Sequence, residues 1–163
     1  INSYSLDDYR SQVGWVSQDV FLFSASLREN LAFHSNVTDA EIWEALEIVQ
    51  LKRWAENLPD RLGEIFKERA SSLSSGQRQL LSLARAILRQ PKILIFDEAT
   101  SALDNQTEQE VSEAIDSLSD ADKTIFIIAH RITTLKNCDR IYELDNGKIS
   151  GVYQYQELLE KVL

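Results

Sequence analysis

At 163 residues and 44% hydrophobic, the chain is long enough to bury one domain-sized core and too apolar for a disordered segment. Its 26 acidic against 17 basic residues give a net charge of −9, which argues against a broad nucleic-acid or anionic-membrane surface while leaving room for a local phosphate pocket.

In chain order, the first strand is expected at Gln12–Ser17, QVGWVS, followed by Gln18 and then DVFLFSASLRENLAF, an apolar stretch running into a short helix. Thr38 with Glu41 has the form of a capping box, and the helix behind it has an apolar stripe of Ile42, Ala45, Leu46 and Val49; more helix is expected to about Leu58. LPDRLGEIFKERASS mixes turn residues and charge without a period and reads as a connecting loop. Ser74 with Gln77 forms a second capping box, so a helix starts near Ser75. Leu80, Leu83, Ala84, Ile87 and Leu88 make its apolar face; Arg78, Ser82, Arg85 and Arg89 take the opposite face, and Pro91 ends it. KILIF and TIFIIA (Thr124–Ala129) are continuous apolar runs of the kind expected for strands buried on both faces. The helix between them carries Val111, Ala114, Ile115 and Leu118, so the order predicts a right-handed parallel crossover. Asn146-Gly147 between two strand-like runs predicts a hairpin, and QYQELLEKVL a closing helix.

Single Cys138 excludes an internal disulfide and fits a reducing compartment. The apolar runs fall far short of the roughly 20 residues that span a bilayer, so membrane association is expected through a partner or a further segment. With no methionine and isoleucine at position 1, the sequence reads as a piece of a longer polypeptide.

The chemistry concentrates at three places. Gly76 in a first helical turn costs about 1 kcal/mol against alanine, which suggests a need for close backbone approach. A capped helix start with free amides, a hydroxyl and no obstructing side chain suits an anion such as phosphate, although serine and glycine also begin ordinary helices. In an open parallel sheet ligands sit beyond the carboxyl ends of the strands, which selects Asp97 and Glu98 after ILIF and His130 after TIFIIA. An aspartate ending a buried strand is how phosphate-binding ATPases hold Mg²⁺ through its water shell, and the adjacent glutamate can orient or deprotonate water. Taken as a pair, the two acids also read as solvated turn residues; their conjunction with the capped helix and the histidine favours the site.

These residues resemble those of the ATP-binding cassette family. LSSGQ, Leu73–Gln77, resembles the signature motif; ILIFDE, Ile93–Glu98, is similar to the Walker B strand with its catalytic glutamate. SALD, Ser101–Asp104, resembles the D-loop, His130 the switch histidine, and Gln18 the Q-loop glutamine. The motifs follow the family's order over essentially the whole chain. The resemblance implies catalytic roles for Glu98, His130 and Gln18, nucleotide contacts from Ser74, Ser75, Gly76, Gln77 and Asp104, and Mg²⁺ held at Asp97 and Gln18 with ATP. In a cassette dimer, Ser74 and the Gly76 amide face the γ-phosphate of the partner's ATP.

Two positions depart from the family pattern: Ser75 stands where the signature commonly has its first glycine, and Ala70 where exporters usually have glycine after Glu-Arg. A third departure is larger. Of the five glycines only Gly147 precedes a lysine, and Ile149 follows where serine or threonine is needed, so the 163 residues contain no P-loop. The implied fold is α/β, the parallel sheet of a P-loop NTPase core with an inserted α-helical subdomain, the N-terminal part missing. The helical subdomain is expected over about residues 30–90, with 1–29 and 91–163 as parts of the catalytic core. QDVFLFSASLRENLAF, Glu68-Arg69 and AHRITTLKNCDRIYELDNGKI favour an exporter. The expected function is ATP hydrolysis powering transmembrane export, the isolated fragment being inactive. A second cassette, identical or not, and the coupling helices of a transmembrane domain are the expected partners, with no nucleic acid. The expected location is the cytoplasmic face of a membrane. The alternatives are a non-catalytic degenerate cassette and a soluble cassette ATPase, the latter disfavoured because only 54 residues, without sustained heptads, separate Gln18 from Leu73.

Overall fold

A computed structural model describes residues 5–33, 36–67, 72–98, 105–118 and 122–162, with backbone alone at 105 and 106. It divides into two compact units, Ile1–Ile128 and Ala129–Leu163.

The first unit opens on a short helix α1, Leu6–Ser11, which the sequence reading did not anticipate; its signal is Ser5, whose side chain accepts from the Asp8 amide. Three parallel strands follow in the order β1 (Val13–Val16), β2 (Ile93–Asp97), β3 (Thr124–Ile128). Helices α2 (Leu27–Ala32), α3 (Asp39–Ile48), α4 (Lys52–Glu56), α5 (Ser75–Leu88) and α6 (Asn105–Asp116) complete the unit. Ser26, Thr38 and Ser74 each cap a helix with a reciprocal box, closed by Glu29, Glu41 and Gln77. More helix does follow towards Leu58, but as a separate element: α3 stops at Ile48, Gln50 turns left-handed at φ 59°, and α4 starts at Lys52.

One sheet face carries Gly14 and Val16, Leu94 and Phe96, and half-buried Ile125 and Ile127; its apolar residues join a single core with α3, α5 and α6. Val111, Ala114, Ile115 and Leu118 are buried in that core as expected. The other face departs from expectation. Trp15, Ile95 and Phe126 stand in register across it, and Trp15 is 66% exposed, Phe126 54% and Ile128 51%. β3 lies at the edge of the sheet and is covered on one side only, and Ile93 and Ile95 of β2 are half-buried.

Two further expectations change. The segment after Leu58 contains a 3-10 turn, Arg61–Gly63, and Ile65 bridges Ser26, with Phe66 donating to the Ala25 carbonyl at 3.0 Å; it is paired backbone rather than a bare loop. Arg85 does not face solvent opposite the apolar stripe. Its guanidinium lies beneath residues 21–30, donating to the carbonyls of Asn30 (2.8 Å) and Phe21 (3.1 Å), and burial pushes its pKa down.

The second unit holds the predicted hairpin, β4 (Ile141–Asp145) against β5 (Lys148–Tyr153), closed by Asn146 and Gly147 at φ 47° and 76°. Two successive positive φ values make the two-residue turn whose twist matches the strands, and glycine takes the second at no steric cost. Helix α7, Tyr155–Val162, carries Lys161 in its last turn, which donates to the Glu143 carboxylate (2.6 Å) and to the Tyr153 hydroxyl (3.0 Å). Among the described residues no helix is long and apolar enough to cross a membrane.

Candidate functional site

The parallel sheet brings Gln18, Asp97 and Glu98 to one edge. β1 and β2 run side by side with Val16 opposite Phe96, so Gln18, two residues past β1, and the two acids that end β2 lie beyond the same carboxyl ends. Glu98 leaves the strand with its amide donating to the Ile128 carbonyl at 3.0 Å and its backbone left-handed at φ 49°. A non-glycine residue in that region costs of order 1 kcal/mol and persists where the surroundings hold it, a pattern that gathers at functional sites.

At the start of α5 the capping box accounts for two of the four amides a helix leaves unpaired: Ser74 N donates to Gln77 Oε1 (3.1 Å) and Gln77 N to Ser74 Oγ (3.0 Å). The amides of Ser75 and Gly76 are the remaining first-turn donors. No acidic side chain stands in that turn, whereas α1 and α3 carry two each and α2 carries one. The local field therefore favours an anion from outside. Gly76 is buried, and a methyl placed on it would overlap Thr107 Cγ2 and stand 3.2 Å from Thr107 Cβ. The missing side chain is thus required by the packing of α5 on α6, a reason the sequence alone did not supply.

The second turn of α5 reaches the Gln18 segment directly. Gln79 Nε2 donates to the carbonyls of Ser17 (3.3 Å) and Gln18 (2.9 Å). Asn30, buried in α2, accepts from the Phe23 amide at 2.8 Å and donates to the Phe23 and Ser26 carbonyls, both at 3.1 Å. Gln79, Arg85 and Asn30 are residues that sequence reasoning missed. A signal existed for Gln79: it shares the stripe of Gly76, Leu80, Leu83 and Ala84, where an amide is out of place unless it is bonded.

His130 belongs to the second unit, exposed, two residues before a 3-10 turn at Ile132–Leu135. Asp104 with the rest of SALD, and Ala70, lie outside the described residues. Among the described residues no three His, Cys, Asp or Glu converge on a cation position. Asp97 suits a cation that takes few protein ligands and completes its shell with water and phosphate oxygens, which is the habit of Mg²⁺.

An open parallel sheet with its polar groups at the carboxyl edge, beside a helix start free for an anion, defines an α/β protein of the phosphate-binding class. The family profile described as ABC transporter matches residues 1–101. A multidrug resistance ABC transporter ATP-binding and permease protein of Lactococcus lactis subsp. cremoris (strain MG1363) is 43% identical over 161 residues, 98% of this chain and 27% of that protein. An uncharacterized ABC transporter ATP-binding protein of Bacillus subtilis (strain 168), YwjA, is 44% identical over 98% of this chain and 28% of its own length. Among solved structures, a bacterial Atm1-family ABC exporter with ATP bound matches with a TM-score of 0.85 and 31% identity, covering 95% of this chain and 27% of that one. The chain belongs to the ABC transporter family and is part of a cassette. It spans about a quarter of the length of the curated relatives it matches.

Proposed function

We propose that the chain forms most of the nucleotide-binding cassette of an ABC exporter, which in the whole protein binds and hydrolyses MgATP to drive transport. The observation that carries this reading is the strained Glu98 directly behind Asp97, at the sheet edge shared with Gln18. Asp97 and Gln18 would hold Mg²⁺ with bound ATP, the cation supplying charge neutralisation of the phosphates. Glu98 accepts a hydrogen bond from water and takes its proton, and Gln18 orients the same water; His130 carries the switch-histidine role that its resemblance implies. Ser74, Ser75, Gly76 and Gln77, with Asp104, contact the nucleotide held by a second cassette. The helices near residues 30–90 meet the coupling helices of the membrane domain, on the cytoplasmic face. Domain bounds of 30–90 for the helical part, with 1–29 and 91–163 for the core, belong to the same proposal.

Glu98→Gln in the full-length transporter tests it. Glutamine keeps size and some hydrogen bonding but loses the carboxylate as acceptor and base; general-base contributions run on the order of 10² to 10⁴ in rate. Turnover should fall by at least about a hundredfold while MgATP binding persists and an ATP-bound dimer accumulates. Asp97→Asn should instead weaken MgATP binding itself. Near-normal hydrolysis by Glu98→Gln would leave Glu98 a solvated carboxylate at the strand end.

A further inference from the structure

Gln79 is 7% exposed, in the second turn of the helix whose first turn holds Ser74–Gln77. A buried carboxamide normally uses both its amino group and its oxygen. Here the amino group is committed to two consecutive backbone carbonyls, Ser17 and Gln18, and Oε1 is buried without a partner among the described residues. Its orientation is fixed by chemistry: carbonyls only accept, so the amino end must face them. The bonds span 62 and 61 residues of sequence and are the described side-chain bonds joining α5 to the backbone at Ser17 and Gln18. Two turns further on, Arg85 seizes the same passage at Phe21 and Asn30. Residues 17–30 are therefore strapped to one side of α5 by its own side chains.

We propose that Gln79 is a positioning residue that ties the backbone carrying Gln18 to the phosphate-facing helix start, so that a displacement of α5 is passed to Gln18 without loss. The proposal rests on the functional reading above. A rigid helix transmits motion of its first turn to its second, and bonds of 2.9 Å to the Gln18 carbonyl and 3.3 Å to that of Ser17 leave Gln18 little independent freedom. A nucleotide engaging Ser74 and Gly76 is then sensed at the other site through the carboxamide of Gln79.

The test is a double-mutant cycle in the full-length protein, read as MgATP turnover. Gln79→Met keeps length and volume and removes both donors; Gln79→Leu is a second, fully apolar variant should the first not fold. Hydrogen exchange of the peptide covering residues 17–23 is measured alongside. The proposal expects faster exchange in that peptide with α5 unchanged, and a fall in turnover of about 2- to 30-fold, the range typical of coupling residues. It also expects no added loss when Gln79→Met is combined with Gln18→Ala. Unchanged exchange overturns it, as does a loss that repeats in full in the Gln18→Ala background, because Gln79 would then act independently of Gln18. If the wild-type protein lacks MgATP turnover, the functional reading fails while the exchange measurement still decides the strap.

Discussion

Gly76 answers to two demands at once. Its backbone amide is one of two first-turn donors left by the capping box, and its missing side chain is what lets α6 approach. A methyl at this position cannot fit unless Thr107 moves, because the Cγ2, Cβ and Oγ1 of that β-branched side chain all crowd it. Overpacking of this kind costs about 1 to 3 kcal/mol. Gly76→Ala should therefore destabilise the cassette by that amount in denaturant unfolding, despite the better helix propensity of alanine. Thr107→Ser, which deletes only Cγ2 and keeps the hydroxyl, should restore most of the loss in the double variant. A double variant no more stable than Gly76→Ala would show that the clash lies elsewhere.

At the scale of elements, the two capping boxes closed by glutamate have a pH dependence of their own. Ser26 and Thr38 each donate side-chain and backbone bonds to the glutamate three residues on, holding Glu29 and Glu41 below the usual carboxylate range. A folded pKa below the unfolded one gives support that is present above the unfolded pKa and vanishes as pH falls through the folded value. The Ser26 and Thr38 amide resonances should titrate with midpoints below that of free glutamate, and Glu29→Gln and Glu41→Gln should each abolish their own titration. Midpoints at or above free glutamate would contradict the bonding. Ser26 with Glu29 was missed, although it has the same form as the Thr38 and Ser74 boxes, which were legible in the sequence because their grammar is local, Ser or Thr followed three residues later by Glu or Gln. The same holds for the Asn146-Gly147 turn. Arg85 and Gln79 were not legible in the same way, since the carbonyls that bury them lie more than fifty residues away. The place of Asp97 and Glu98 at the carboxyl end of β2 was legible from the apolar run before them; the left-handed turn at Glu98 has no local sequence signal.

For the molecule as a whole, the ligand chemistry within these 163 residues is one-sided. The sheet edge and the α5 start are present, but no glycine-rich loop with lysine is, and such a loop supplies most backbone amides and the ammonium that cradle phosphates. Titration calorimetry on the 163-residue chain alone should therefore detect no micromolar MgATP binding and no hydrolysis; a micromolar isotherm would refute this. β3 teaches a related lesson about reading strands. The apolar continuity of TIFII predicts burial on both faces, yet continuity records what a strand is suited to meet, and among the described residues the core lies against one side. Trp15, Ile95 and Phe126, aligned across three strands, form a hydrophobic ladder that water wets at a cost of roughly 25 cal/mol per Å². Pressed on a second copy, the exposed rings of Trp15 and Phe126 would leave water, so light scattering of the isolated chain should rise with concentration; a monodisperse monomer at high concentration would contradict this.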